Sequence, residues 1–187
     1  MKTGISAPNE GYFKASHRHN CSAPQQHSSC WHRERANGGR KIVNSFESDV
    51  RAAVYESFSN TSKPPTPDGL AVKLGCTRAE ALSALHSLAD EHCLVLLPDG
   101  ESIWMAHPFS GIKTDFSVTV DKSHWFANCV WDGLSILALF GDGSLVTHSP
   151  ATGELLQFDV ADGIVAADGL VHFLVPAKDF WKDIGYT

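Results

Sequence analysis

The run "LAVKLGCTRAEALSALHSL", residues 70 to 88, closes one helix and opens another within three positions. Gly75 supplies the left-handed conformation that ends a helix. Thr77 followed by Glu80 is a capping box: each side chain can satisfy a backbone amide that the new helix leaves without a partner. Leu82, Leu85 and Leu88 then give the second helix its buried stripe. A sharp helix-turn-helix is therefore built into this stretch, which excludes one long helix and an all-β fold.

The flanking sequence extends the pattern. "NSFESDVRAAVYESFSN" (44–60) spaces Phe46, Val50, Val54 and Phe58 for a helix, with Ser45 as its expected cap. "KPPTPDG" (63–69) stops it, because proline lacks an amide donor and biases its neighbour toward extended backbone. After the second helix, "CLVLL" (93–97) and "SIWMA" (102–106) read as two strands joined through the turn "PDG". Residues 42–106 are thus expected to form a winged-helix-like unit. The unit carries Arg51, Lys63, Lys73 and Arg78 against Glu47, Asp49, Glu56, Asp68, Glu80, Asp90, Glu91, Asp99 and Glu101. Phosphate binding needs clustered cations, so this balance, with a whole-chain formal charge of -6, argues against nucleic acid and for a packing role.

Residues 1–41, rich in Ser, His, Gln, Asn and Gly, show no apolar period, and a disordered tail is expected there. His17, His19, Cys21, Cys30 and His32 have metal-ligand chemistry, but their spacing matches no standard zinc pattern. The remaining segment, 107–187, reads as a mixed β-rich domain with one central helix. "TDFSVTV" (114–120), "GSLVTHS" (143–149), "ELLQFDV" (154–160) and "LVHFLVP" (170–176) are expected strands, and "HWFANCVWDGLSILALFG" (124–141) the helix. The fold class is therefore α+β. No apolar run is long enough to span a bilayer or serve as a signal peptide, and an odd number of cysteines, five, points to free thiols; both suit a cytoplasmic protein.

Within that central helix, Cys129 and Asp132 stand three apart and so share a face. With Asn128 as cap, Cys129 would lie in the first turn, where unsatisfied amides favour a thiolate. Asp132 feels the same helix terminus, while burial beside Trp125 or Trp131 and an adjacent thiolate favour its protonated form. A soft nucleophile touching a proton donor suits capture of a soft metal and protonation of a group leaving it. The plain alternative is a small buried cysteine and an ordinary first-turn acid. A zinc site formed by His107, His124 and His148 with Cys129 is a further reading, though the separations follow no ligand pattern.

The segments "MAHPFSGIKTDFSV" (105–118), "WFANCVWDGLSILALFG" (125–141), "HSPATGE" (148–154) and "HFLVP" (172–176), in this order, resemble the organomercurial (alkylmercury) lyases. The resemblance extends over about residues 42–187, since that family also places a helical, winged-helix-like part before a mixed β domain. It implies an enzyme that cleaves carbon–mercury bonds by protonolysis to a hydrocarbon and Hg(II). Cys129 would be the mercury ligand and Asp132 the proton donor. It implies an organomercurial substrate and no cofactor, apart from a free small thiol for mercury release. Ser149 stands where some members carry another cysteine, and the family's second mercury-binding cysteine is expected beyond "DFWKDIGYT" (179–187); no cysteine follows Cys129 in this sequence. The competing expectations are a winged-helix DNA-binding or metal-responsive sensor and an inactive lyase remnant.

Overall fold

Four α-helices and one eight-stranded antiparallel sheet make up the fold in the computed structural model, which describes residues 44–166, 171–173 and 175–185. These residues fall within one compact unit, Gly39–Thr187. The tail expected over 1–41, with its histidines and cysteines, lies outside the described residues. No described helix is long and apolar enough to cross a membrane.

Helix α1 (Ser45–Thr61) starts from Asn44, not Ser45. Asn44 has the extended backbone of a cap, its Oδ1 accepts from the Glu47 amide at 2.8 Å, and the Glu47 carboxylate accepts from the Asn44 amide at 2.7 Å. An amide one residue earlier completes the box that a serine at 45 would have placed out of register. Helix α2 (Pro67–Leu74) closes on Gly75 at φ 66°, and α3 (Arg78–Asp90) opens on the Thr77–Glu80 box, both as expected. Leu85 and Leu88 are fully buried, whereas Leu82 is half-buried and Ala81 and Ala84 complete the inward stripe. Small residues there let α3 approach α1 and α2 closely.

Strands β1 (Val95–Leu96) and β2 (Ile103–Ala106) form the expected hairpin. The Asp99 carboxylate fixes its turn by accepting from the amides of Glu101 and Ser102, each at 2.9 Å. The hairpin begins a continuous sheet. With β3 (Phe109–Ser110), β4 (Phe116–Val120), β5 (Ser123–Ala127), β6 (Gly143–His148), β7 (Leu155–Ala161) and β8 (Ile164–Ala166), the order is β1-β2-β3-β5-β4-β6-β7-β8. Sequence periodicity did not resolve β3 or β8, whose two and three residues are too short to display alternation.

Two expectations for the second half need correction. The segment 124–141 is not one helix: His124–Ala127 belongs to β5, and α4 spans Val130–Phe140. Trp125 and Ala127 are buried while His124 is exposed, a period of two, and the strand pairs with β4 from Val120↔Ser123 to Phe116↔Ala127. The apolar run continues unbroken across the strand-to-helix junction, so hydrophobicity alone does not mark it. "LVHFLVP" likewise is not a strand in its described part. Residues 171–173 are exposed and irregular, and Pro176 leads into a 3-10 helix, Ala177–Lys182.

The helices and sheet share one core. The Trp125 indole donates to the Phe58 carbonyl at 2.8 Å in a buried bond, and the Phe58 ring stacks on Phe109 with centroids 5.0 Å apart. A buried indole N–H without an acceptor is costly, so this bond fixes α1 against β5. Helix α4 packs over β4, β5 and β6 through Ile136 and Leu137. Gly133 permits the close approach: a β-carbon there would stand 2.7 Å from a Leu145 methyl.

Candidate functional site

The junction between β5 and α4 consists of Asn128 and Cys129. Strand β5 ends when Ala127 makes its last pair with Phe116, and the next two residues must turn the chain onto the face of the sheet. Cys129 itself is the N-cap of α4, not a first-turn residue capped by Asn128. Its backbone is extended, and its Sγ accepts from the Asp132 amide at 3.4 Å. Sulfur is a weak acceptor, so this is a poor substitute for a hydroxyl cap.

The cysteine's acidity also differs from the expectation. Burial pushes the Cys129 thiol above its ordinary value, and the negative charge of Asp132 pushes in the same direction. Donation from the amides of Asp132 and Trp131 opposes this and is the smaller influence. The helix terminus therefore does not yield a thiolate here, because desolvation penalises the anion more than two amides stabilise it.

Asp132 lies three residues into the same turn with its side chain 14% exposed. Asn128 Nδ2 donates to Asp132 Oδ2 at 2.9 Å, and His107 Nδ1 lies 3.2 Å from the same oxygen. The second Asn128 amide hydrogen is directed at the Phe109 carbonyl, 3.3 Å away. His107 is held in turn, since the Tyr55 hydroxyl donates to its carbonyl at 3.1 Å. Four elements, α1, the β2–β3 link, the β5–α4 junction and α4, thus converge on one carboxylate.

Cys129 and Asp132, paired from sequence, both line an open cavity of about 750 Å³. Met105, Trp131, Phe173, Val175, Phe180 and Ile184 supply most of its apolar wall, and His107, Asn128 and His172 the rest of its polar edge. Few polar groups in an apolar recess is the usual composition of a small-ligand site. The 3-10 helix that forms one wall is pinned by Trp181, whose ring stacks on His92 at 4.2 Å and meets His107 edge-on at 6.2 Å. Neither that wall nor the role of Asn128 beside Asp132 was evident from sequence. The available signal was the adjacency in "NC-x-x-D", which places an amide side chain just ahead of the helix start that carries Asp132.

The zinc reading does not find its ligands. His124 pairs with the Ser117 hydroxyl at 2.7 Å, His148 sits exposed at the end of β6, and neither lines the cavity. Among the described residues no group of three or more His, Cys, Asp or Glu is arranged to hold a metal. Cys76, Cys93 and Cys129 are free thiols, and only Cys129 reaches the cavity. Ser149 closes the β6–β7 turn, accepting on its hydroxyl from the Thr152 amide at 3.3 Å.

Residues 109–187, which include this junction, match the sequence model of the family described as MerB, alkylmercury lyase. That segment is similar to the alkylmercury lyases. The match begins at Phe109 and takes in β3 to β8 and α4. Among solved structures, the crystal structure of the mercury-bound form of MerB2 aligns with a TM-score of 0.54 and 22% identity, over 66% of this chain and 60% of that one. This likeness speaks for the fold, and this chain spans 60% of that protein's length. No curated protein matches the chain.

Proposed function

We propose that this chain cleaves carbon–mercury bonds by protonolysis. The observation that carries the reading is that Cys129 Sγ and the Asp132 carboxylate border one apolar cavity, linked by the Asp132 amide. An organomercurial cation R–Hg⁺ displaces the Cys129 proton, which passes to the Asp132 carboxylate, and an S–Hg bond forms. Sulfur is the soft donor that mercury prefers. The organic group R lies against Met105, Trp131 and Phe180, where apolar surface favours it over water.

Cleavage then needs a proton at carbon. Asp132, now carrying the proton released by Cys129, is the acid within the recess. Carbon keeps the electron pair of the C–Hg bond and takes the proton, RH leaves, and Hg(II) remains on sulfur with no change of oxidation state. A second soft donor on mercury increases the negative character of the carbon. A small thiol from solution fills that position and afterwards draws Hg(II) away by exchange. A reducing cytoplasm would supply both this thiol and a reduced Cys129. The unit 42–106, three helices and the β1–β2 hairpin, acts as a winged-helix-like scaffold whose Tyr55 and Phe58 hold the site's second layer.

The test is direct. The full chain, given phenylmercuric acetate and excess monothiol, should release benzene catalytically, and in thiol-free buffer it should stop after binding mercury. Absence of benzene with thiol present overturns the proposal.

A further inference from the structure

Asp132 is engaged asymmetrically. Its Oδ2 takes both neighbours, Asn128 Nδ2 at 2.9 Å and His107 Nδ1 at 3.2 Å, while its Oδ1 has no hydrogen-bond partner among the described residues. From this geometry we propose that His107 and Asn128 are positioning residues that turn Oδ1 of Asp132 toward the reacting carbon. The inference rests on the protonolysis reading above and adds which oxygen delivers the proton and what aims it.

Three observations carry it. A carboxyl oxygen that already accepts two N–H groups has little capacity left to hold a proton, so the acidic hydrogen resides on the other oxygen. His107 serves Oδ2 as a donor when its Nδ1 carries a hydrogen, and Oδ2 is the Asp132 oxygen that Nδ1 faces. The Asn128 amide is oriented at a cost to itself. Its Nδ2 faces Asp132 Oδ2 and the Phe109 carbonyl, both acceptors, and its Oδ1 is buried without a partner among the described residues. A buried acceptor left unpaired is disfavoured, and its persistence beside the functional carboxylate fits an amide fixed for the sake of its donor end.

The step balances as follows. The O–H bond at Oδ1 breaks as the C–H bond of RH forms, the C–Hg electron pair goes to carbon, and Asp132 is left as a carboxylate whose charge Nδ1–H and the Asn128 amide already face. Exchange of Hg(II) onto a small thiol returns a proton to Cys129, and Asp132 stays a carboxylate ready to receive it in the next cycle. Holding the acid in line removes rotational freedom from the transition state, and misplacement by an ångström is enough to slow such a step strongly.

The test separates aiming from packing. His107→Phe keeps a ring against Trp181 and removes the donor; His107→Asn removes the ring and keeps an N–H at the place of Nδ1. With phenylmercuric acetate and thiol, His107→Phe and Asn128→Ala are expected to lower kcat about 10- to 100-fold with KM unchanged. Both should bind one mercury per chain, and His107→Asn should recover most of the loss. Thermal melts of each variant report folding. Wild-type kcat in His107→Phe, or failure of His107→Asn to exceed it, overturns the positioning roles while leaving protonolysis intact if Asp132→Asn is still inactive. No benzene from the wild type removes both.

Discussion

Helices α3 and α4 begin on the same device put to different ends. In α3, Thr77 caps the helix and Glu80, at the third helical position, reaches back to the Thr77 amide at 2.8 Å. In α4, Cys129 caps and Asp132 occupies the equivalent position, but its carboxylate turns aside to Asn128 and His107. The first arrangement satisfies two amides and stabilises the helix. The second replaces a good acceptor by sulfur, and the acid returns nothing to the cap. What differs is the surrounding surface: Thr77 and Glu80 face solvent, whereas Cys129 and Asp132 open on an apolar cavity. The two helix starts differ by sulfur in place of oxygen, one methyl group, one methylene and the environment.

The contrast can be broken from either side. Replacing Asp132 by Asn should give the largest change, a loss of about 10²- to 10⁴-fold in hydrocarbon release, the span of general acid contributions. Mercury should still bind. Because the Asp132 charge is one of the causes that raise the Cys129 thiol, its removal lets the thiol ionise at lower pH. Capture by the wild type should therefore rise with pH through the alkaline range, where the thiolate forms, and the capture curve of Asp132→Asn should shift toward neutrality. Stopped-flow mercury uptake between pH 6 and about 10 checks the sign; an unshifted curve would show that burial alone sets the thiol.

Cys129→Ser converts α4 toward α3. Oxygen is a better cap and a poor ligand for mercury, so mercury retention should fall on the order of 100-fold. Stability should stay level or rise by about 0.5–1 kcal/mol. A variant that loses both mercury and stability would mean the sulfur packs in a way oxygen cannot. The smallest effect is expected at the other box: Thr77→Ala should cost about 1 kcal/mol, read as a lower Tm, with mercury retention and turnover unchanged. Any change in turnover there would couple α3 to the cavity.

Local chemistry made much of this molecule readable. The Gly75 stop and the Thr77–Glu80 start lie within a few residues of their partners, so backbone hydrogen bonding alone specifies them. Pairing Cys129 with Asp132 was also a local matter, since an N-cap side chain meets the third residue of the helix it caps. The beginning itself was not. Trp125 to Ala127 could be helix or strand by composition, and pairing with β4, across a short turn, drew them into the sheet. That choice moved the cap from Asn128 to Cys129 and freed the Asn128 amide for Asp132. The short strands β3 and β8 were invisible for a related reason: such segments are held by neighbours rather than by any pattern of their own.

The sequence by itself determined the α+β class, the helix-turn-helix with its hairpin and the presence of a thiol and an acid one turn apart. Each follows from interactions that span a few residues. Only the tertiary structure decided that Cys129 is a raised thiol instead of a thiolate, and that His107, over twenty positions upstream, shares an oxygen of Asp132 with Asn128. Desolvation and convergence depend on which distant surfaces close around a group, and no spacing along the chain encodes them.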